Sequence, residues 1–269
     1  MQEEPKQRAR PRNISAIRQL FELFTTDLGR LLRERRTVWL ATIQLLPIVA
    51  AILLVNWMQL DGLSIYTGVV EQAIFPFLLP LVAIFYGGPV IVDEIERKTL
   101  TYLTLRPIPK SVIFLAKWAA GATIAIGLVS GTLLLLYLVC IVFGGGFGSS
   151  GVPLFKTLLA AVSGTAAYGA LFAALGALFG RGLIASVIYF LVFDLVMGQI
   201  PVLKLGTVRF HLYNIGDFQQ TGGSEILDTF LSGGGISVPW WLSTFIAVGF
   251  GLVALLAGAL IFARRQYTL

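Results

Sequence analysis

Apolar positions along the chain fall into two patterns. The first is periodic. Ile14, Ile17, Phe21, Phe24, Leu28 and Leu31 recur at steps of three and four, which sets them on one face of a helix, with Arg18, Glu22, Thr25 and Arg33 on the other faces. This spacing predicts a basic amphipathic helix over residues 14–37, started by Asn13 or Ser15 as a cap and lying along a membrane surface. The second pattern is continuous. Six apolar runs, at about 38–58, 73–92, 118–143, 154–179, 183–202 and 238–263, are each long enough to cross a bilayer core of about 30 Å, which takes roughly 20 helical residues. None alternates with a period of two, so the runs predict helices and not the strands of a barrel. The expected fold class is an all-α integral membrane protein with six transmembrane helices. Pro76, Pro80 and Pro89 should kink or break the second of them.

Composition sharpens this picture. Hydrophobic residues make up 57% of the 269 positions and charged residues 13%, about half the charged share of a soluble domain. The mean hydropathy is +0.84. These values exclude a disordered chain, a coiled coil and a nucleic-acid-binding domain, and they make the lipid bilayer the expected surroundings. The net charge of +6 gains meaning from where it lies. Nine Lys and Arg precede residue 38, five lie in 93–117, Arg181 sits in the turn after the fourth run, and Arg264 and Arg265 follow the sixth, whereas 59–72 and 144–153 carry none. An excess of basic residues marks the cytoplasmic side, so both termini and segment 93–117 are expected there. Lys156, Lys204 and Arg209 are the exceptions. Residues 1–13 read as a flexible basic tail, 38–263 as the six-helix membrane domain, 203–237 as an outer loop in which Ser224–Leu231 is either a short interfacial helix or loose surface loop, and 264–269 as a cytoplasmic tail. Trp39, Trp57, Trp118, Trp240 and Trp241 all fall at expected span ends, where an indole ring prefers to sit. The first run reads as an uncleaved anchor, because both it and the basic stretch before it are too long for a signal peptide.

Few side chains carry chemistry. Asp194 falls about halfway along the fifth run, where a charge costs about 2.5–3.5 kcal/mol. It must face protein or water, and so is a candidate to line a pathway, bind a cation, carry a proton or simply pack. Gly127 with Gly131, and Gly176 with Gly180, form G-x-x-x-G pairs that allow close helix packing, within the chain or between chains. His211, the sole histidine, is expected on the outer surface, and Cys140 is the sole cysteine, so no disulfide forms within the chain. Gly146, Gly148 and Gly151 match the dinucleotide fingerprint in letters, but they follow a membrane run instead of a strand and read as an outer turn.

Segment 93–117 is the most informative. Asp93, Glu94 and Glu96 stand together, Leu100, Leu103 and Leu105 follow on a short helix, Arg106, Pro107 and Pro109 break it, and Ser111 starts the next helix. A chain that only needs to turn does so with Gly180, Arg181 and Gly182. The stretch LPLVAIFYGGPVIVDEIERKTL, residues 79–100, and its continuation TYLTLRPIPKSVIFLAK, residues 101–117, resemble the membrane subunit of type-2 ABC transporters, the exporter-like class. Glu94 and Glu96 match its acidic positions, Thr99 and Leu100 its Thr-Leu, Leu103 and Leu105 its leucines, and Pro107, Lys110 and Lys117 its tail. Lys98 stands where glycine is common.

The resemblance implies a transport subunit and not an enzyme, with no cofactor of its own. It implies that 93–117 docks into a groove on a separate cytoplasmic ABC ATPase, which binds ATP and Mg, through Glu94, Glu96, Thr99, Leu100, Leu103, Arg106, Pro107 and Lys110. The chain itself has no G-x-x-x-x-G-K-[ST] loop to cradle phosphates. The resemblance further implies a second permease chain, identical or related, and a multi-pass location in a prokaryotic cytoplasmic (inner) membrane. Two other readings remain open at this point. One is a membrane anchor or assembly factor that recruits a cytoplasmic partner through the same loop. The other is a membrane-embedded lipid-modifying enzyme using Asp194 and His211, against which the scarcity of His, Cys and paired intramembrane acids argues.

Overall fold

A computed structural model describes residues 16–58, 61–90, 92, 109–144, 151–196, 206–218 and 238–265. These residues are helical throughout, with no strand among them. The helices are α1 (Ala16–Leu32), α2 (Arg35–Met58), α3 (Gly62–Gly87), α4 (Lys110–Gly144), α5 (Val152–Phe179), α6 (Gly182–Tyr189, opening into π-helical turns over Phe190–Val196), α7 (Val208–Gly216) and α8 (Trp240–Arg264). Among the described residues α2, α3, α4, α5 and α8 are long and apolar enough to cross a membrane. The fifth apolar run appears as a shorter apolar helix, Gly182–Asp194. The molecule is a multi-pass integral membrane protein.

Helix α3 starts well before its apolar run. Ser64, Thr67, Glu71 and Gln72 lower the local hydropathy, yet this part packs on α4, where Gly62 meets the backbone of Cys140 and Gly144 too closely for any Cβ. Of the kinks or breaks expected at the prolines, the helix is interrupted at Gly88, just before Pro89, while around Pro76 it stays continuous and widens to a π-helix over Val70–Leu78, which accommodates a residue lacking an N–H and crowding the preceding turn. Helix α4 begins at Lys110 and runs 35 residues. At 1.5 Å per residue this is about 52 Å, so its first turns project beyond a core of about 30 Å.

At the centre lies α5, against α3, α4, α7 and α8. Its buried side is made of small residues: Ala160, Ala167, Ala170, Ala174 and Gly164 among them. Helix α8 runs parallel to it. Gly251 faces Ala167 and, seven residues on, Gly258 faces Ala174, each so near that an added Cβ would stand 3.0 Å from the facing Cα. Lipid tails give no hydrophobic push between helices, so close approach of this kind, with its dispersion contacts, holds them together. Tyr66, Phe75, Tyr168 and Phe172 fill the remaining core. Leu46, Val49 and Leu53 on α2, Leu134 and Leu138 on α4, and Phe245, Val253 and Leu256 on α8 form exposed apolar bands.

One end of the bundle gathers the starts of α2, α4 and α6 and the ends of α3, α5 and α8, together with most of the basic residues among those described. Here Gly180, at φ 71°, closes α5 in the left-handed conformation, and Arg265 donates to the last carbonyls of α5, Ala177 at 3.0 Å and Leu178. At the opposite end Lys156 pairs with Asp217 at 2.7 Å. Trp39, Trp57, Trp240 and Trp241 are exposed near helix ends. Trp118 is different. Because α4 starts at Lys110, it lies in the third turn, beside Gly169 of α5, with its Nε1 buried.

Candidate functional site

At the basic end a polar network ties four helices together. Helix α1 ends at Leu32, and the chain turns within two residues into α2. That turn is stapled by Thr37, whose Oγ1 donates to the Leu31 carbonyl at 2.6 Å, and by Glu34, which takes Arg30 at 3.2 Å and Arg36 at 2.6 Å. Tyr86, at the end of α3, donates its hydroxyl to Thr37 Oγ1 at 2.7 Å. Arg36 lies over the Tyr86 ring, 5.6 Å from its centroid, and donates to the Phe85 carbonyl at 3.5 Å. The foot of α4 joins through Lys117, whose Nζ meets both Asp27 oxygens of α1 at 3.1 and 3.3 Å. Both partners are mostly buried, at 10% and 15% exposed.

The two stems of segment 93–108 are therefore clamped to one block: α3, which leads into it, and α4, which leaves it. Lys110 is the first residue of α4 and half-buried. Glu94, Glu96, Thr99, Leu100, Leu103, Arg106 and Pro107 lie outside the described residues. The amphipathic pattern before the first span gives α1 as far as Leu32. Phe24, Leu28 and Leu31 turn toward the protein, while Phe21 is 63% exposed. Asp27 shares that inward side, where a lone acid amid apolar positions is the signal of a buried partner. The spacing of the apolar residues alone passes over it, as it passes over Thr37 and Tyr86.

A second polar locus surrounds Asp194. It lies in the π-helical part of α6, about 18 Å from Gly182 along the helix, near mid-bilayer. Its side chain is 1% exposed. Tyr168 of α5, Tyr189 of α6 and Arg209 of α7 act on it electrostatically. Arg209 stands 5.3 Å from the centroid of the Tyr213 ring. Tyr213 in turn donates its hydroxyl to the Glu71 carbonyl at 2.6 Å, within the π-helical stretch of α3. Burial raises the Tyr213 phenol above its usual range, against the pull of Arg209, so it remains a neutral donor. Short α7 thus reaches the widened stretches of both α3 and α6.

Helix α7 lies within the segment read as outer loop. Its nine residues include Arg209, His211 and Asn214, and so lack an apolar run. Thr207 caps its start by accepting from Phe210 N at 3.3 Å, and Leu212 packs where Gly164 of α5 leaves room. His211 is not on the surface. It is 5% exposed, because α7 packs on α5 and α8 instead of floating above them. Two of the three basic residues that depart from the charge rule have partners here, Lys156 with Asp217 and Arg209 with Tyr213.

The G-x-x-x-G glycines occupy three different environments. Gly176 meets the Gly88 carbonyl, 2.5 Å from where its Cβ would stand, Gly180 is the cap of α5, and Gly127 and Gly131 face open space on α4. Among the described residues no group of three His, Cys, Asp or Glu is placed to hold a metal.

No curated protein matches the chain. A family model does match, the ABC-2 family transporter protein, over residues 32–197, from the start of α2 to the end of α6 and including both the clamped stems and Asp194. Over most of its length, then, this multi-pass chain is built as a transporter's membrane component, and it belongs to the ABC-2 family of transporter proteins.

Proposed function

We propose that the chain is the membrane-spanning permease subunit of an ATP-driven exporter, working as a dimer and moved by separate ATPase chains that grip segment 93–117 on the cytoplasmic side. The observation that carries this reading is the clamp. Lys117–Asp27 and Tyr86–Thr37 join both stems of that segment to α1 and α2, so a push on the segment moves the ends of four helices as one body. ATP and Mg belong to the partner in this reading, and Glu94, Glu96, Thr99, Leu100, Leu103, Arg106, Pro107 and Lys110 form the gripped surface. Gly127 and Gly131, open on α4, are candidate contacts for the second permease chain.

The test is co-purification from the native membrane. Glu94→Lys with Glu96→Lys should cut the recovered ATPase at least about tenfold while the yield of the chain is unchanged, since like charge at a docking surface costs several kcal/mol. Undiminished recovery sinks the proposal. An ATPase that co-purifies but responds to no transported compound leaves the chain an anchor.

Asp194 is proposed to line the pathway. Asp194→Asn should lower transport-coupled ATP hydrolysis roughly tenfold and leave thermal stability unchanged or raised, because a buried charge is removed without loss of volume. Full turnover in this variant reduces Asp194 to a packing residue.

A further inference from the structure

Between α1, the end of α3 and the foot of α4 lies an open, shallow pocket. Its floor is apolar, made by Leu31, Tyr86, Pro89 and Val90, and its charged lining is Arg30, Arg36, Lys117 and Asp27. We infer that this pocket binds the phosphate group of an anionic membrane lipid. The inference needs only that the chain sits in a bilayer, so it stands whether or not an ATPase grips segment 93–117.

Three observations carry it. The cations converge from three separate helices, Arg30 from α1, Arg36 from α2 and Lys117 from α4, on one cavity. Each is held in place by a carboxylate, Glu34 for both arginines and Asp27 for the lysine, so the site is preorganised. Among the described residues the lining cations Arg30, Arg36 and Lys117 stand against the carboxylates of Asp27 and Glu34, three positive charges to two negative.

The depth is that of lipid headgroups. Trp39, 69% exposed, lies one turn beyond Arg36, and Leu32 and Val38 are exposed beside it, a sequence of basic, aromatic and apolar residues that marks the interface. Basic pockets between helices at this level are the setting in which lipid phosphates are held. Arginine adds a planar fork matched to phosphate oxygens.

The experiment uses the full chain, stripped of lipid in detergent, and follows thermal unfolding and lipid retention by native mass spectrometry. The probes are phosphatidylglycerol, phosphatidylcholine and inorganic phosphate. Phosphatidylglycerol should be retained and raise the midpoint, and the other two should do neither. Arg36→Gln, and separately the paired change Asp27→Asn with Lys117→Gln, should each weaken phosphatidylglycerol retention about fivefold. Arg264→Gln, at the same end but outside the pocket, should leave it unchanged. The paired change removes the lysine without stranding its carboxylate, so it reports on binding even if Arg36→Gln fails to fold. Equal retention of phosphatidylglycerol by wild type and both pocket variants overturns the inference, as does equal retention of phosphatidylcholine. Stabilisation by inorganic phosphate equal to that by phosphatidylglycerol would make this a small-anion site and overturn the lipid as occupant.

Discussion

Lys117→Met destabilises the chain by about 2–4 kcal/mol, on the scale for breaking a mostly buried ion pair by removing one partner. Methionine keeps the length and packing of the lysine stem, so the loss is electrostatic: Asp27, 15% exposed, is left without its cation. Asp27→Asn with Lys117→Met should recover most of the loss, because the two neutral side chains leave no buried charge behind. The measurement is reversible unfolding in mixed detergent micelles, run as a double-mutant cycle. A single variant as stable as the wild type, or a double variant no better than the single, would show that α1 is held by its apolar face alone. Lys117→Met should also uncouple any ATPase gripping 93–117, since α1 would no longer follow the foot of α4.

Gly182→Val should be at least as damaging, about 3 kcal/mol or more, at the upper end for overpacking a tight site. Gly88, Gly176 and Gly182 meet at one point, and a Cβ on Gly182 would fall inside the Gly88 carbonyl. Neither side can yield easily, because all three contacts are backbone to backbone. The α5–α6 turn and the end of α3 would be forced apart beside the first residues of the clamped segment. Gly127→Val is the contrast, since nothing lies within 4 Å of its added carbon. The isolated chain should tolerate that change within about 0.5 kcal/mol. Comparable unfolding midpoints for Gly182→Val and Gly127→Val would refute the packing described for this junction.

What could be read from the sequence follows from what lipid demands of it. Continuous apolar runs located α2, α5 and α8 within a few residues and α4 except for its first two turns, because a bilayer leaves a chain no alternative to satisfying its backbone internally. The first half of α3 was hidden because Glu71, Gln72 and Thr67 depress hydropathy in a stretch whose neighbour is α4. Helix α7 was hidden for a related reason: its polar residues find partners in the fold, Tyr213 at Glu71 on α3 and Arg209 over Tyr213 within the helix itself. Asp194 stood out from its position in an apolar run. Asp27, at the opposite extreme, is an ordinary acid in a charged helix until α4 is folded against it. Pairings between residues 90 apart, such as Asp27 with Lys117, leave no periodic trace.

The two π-helical stretches lie at matching depth. Val70–Leu78 ends about 13 Å from the finish of α3, and Phe190–Val196 begins about 12 Å from the start of α6. Such turns have looser hydrogen-bond ladders than the α-helix on either side. On α3 and α6 the backbone is thus regular near the basic end and looser at one shared depth farther in. A thrust delivered at the basic end would first meet a yielding backbone on these two helices at that depth.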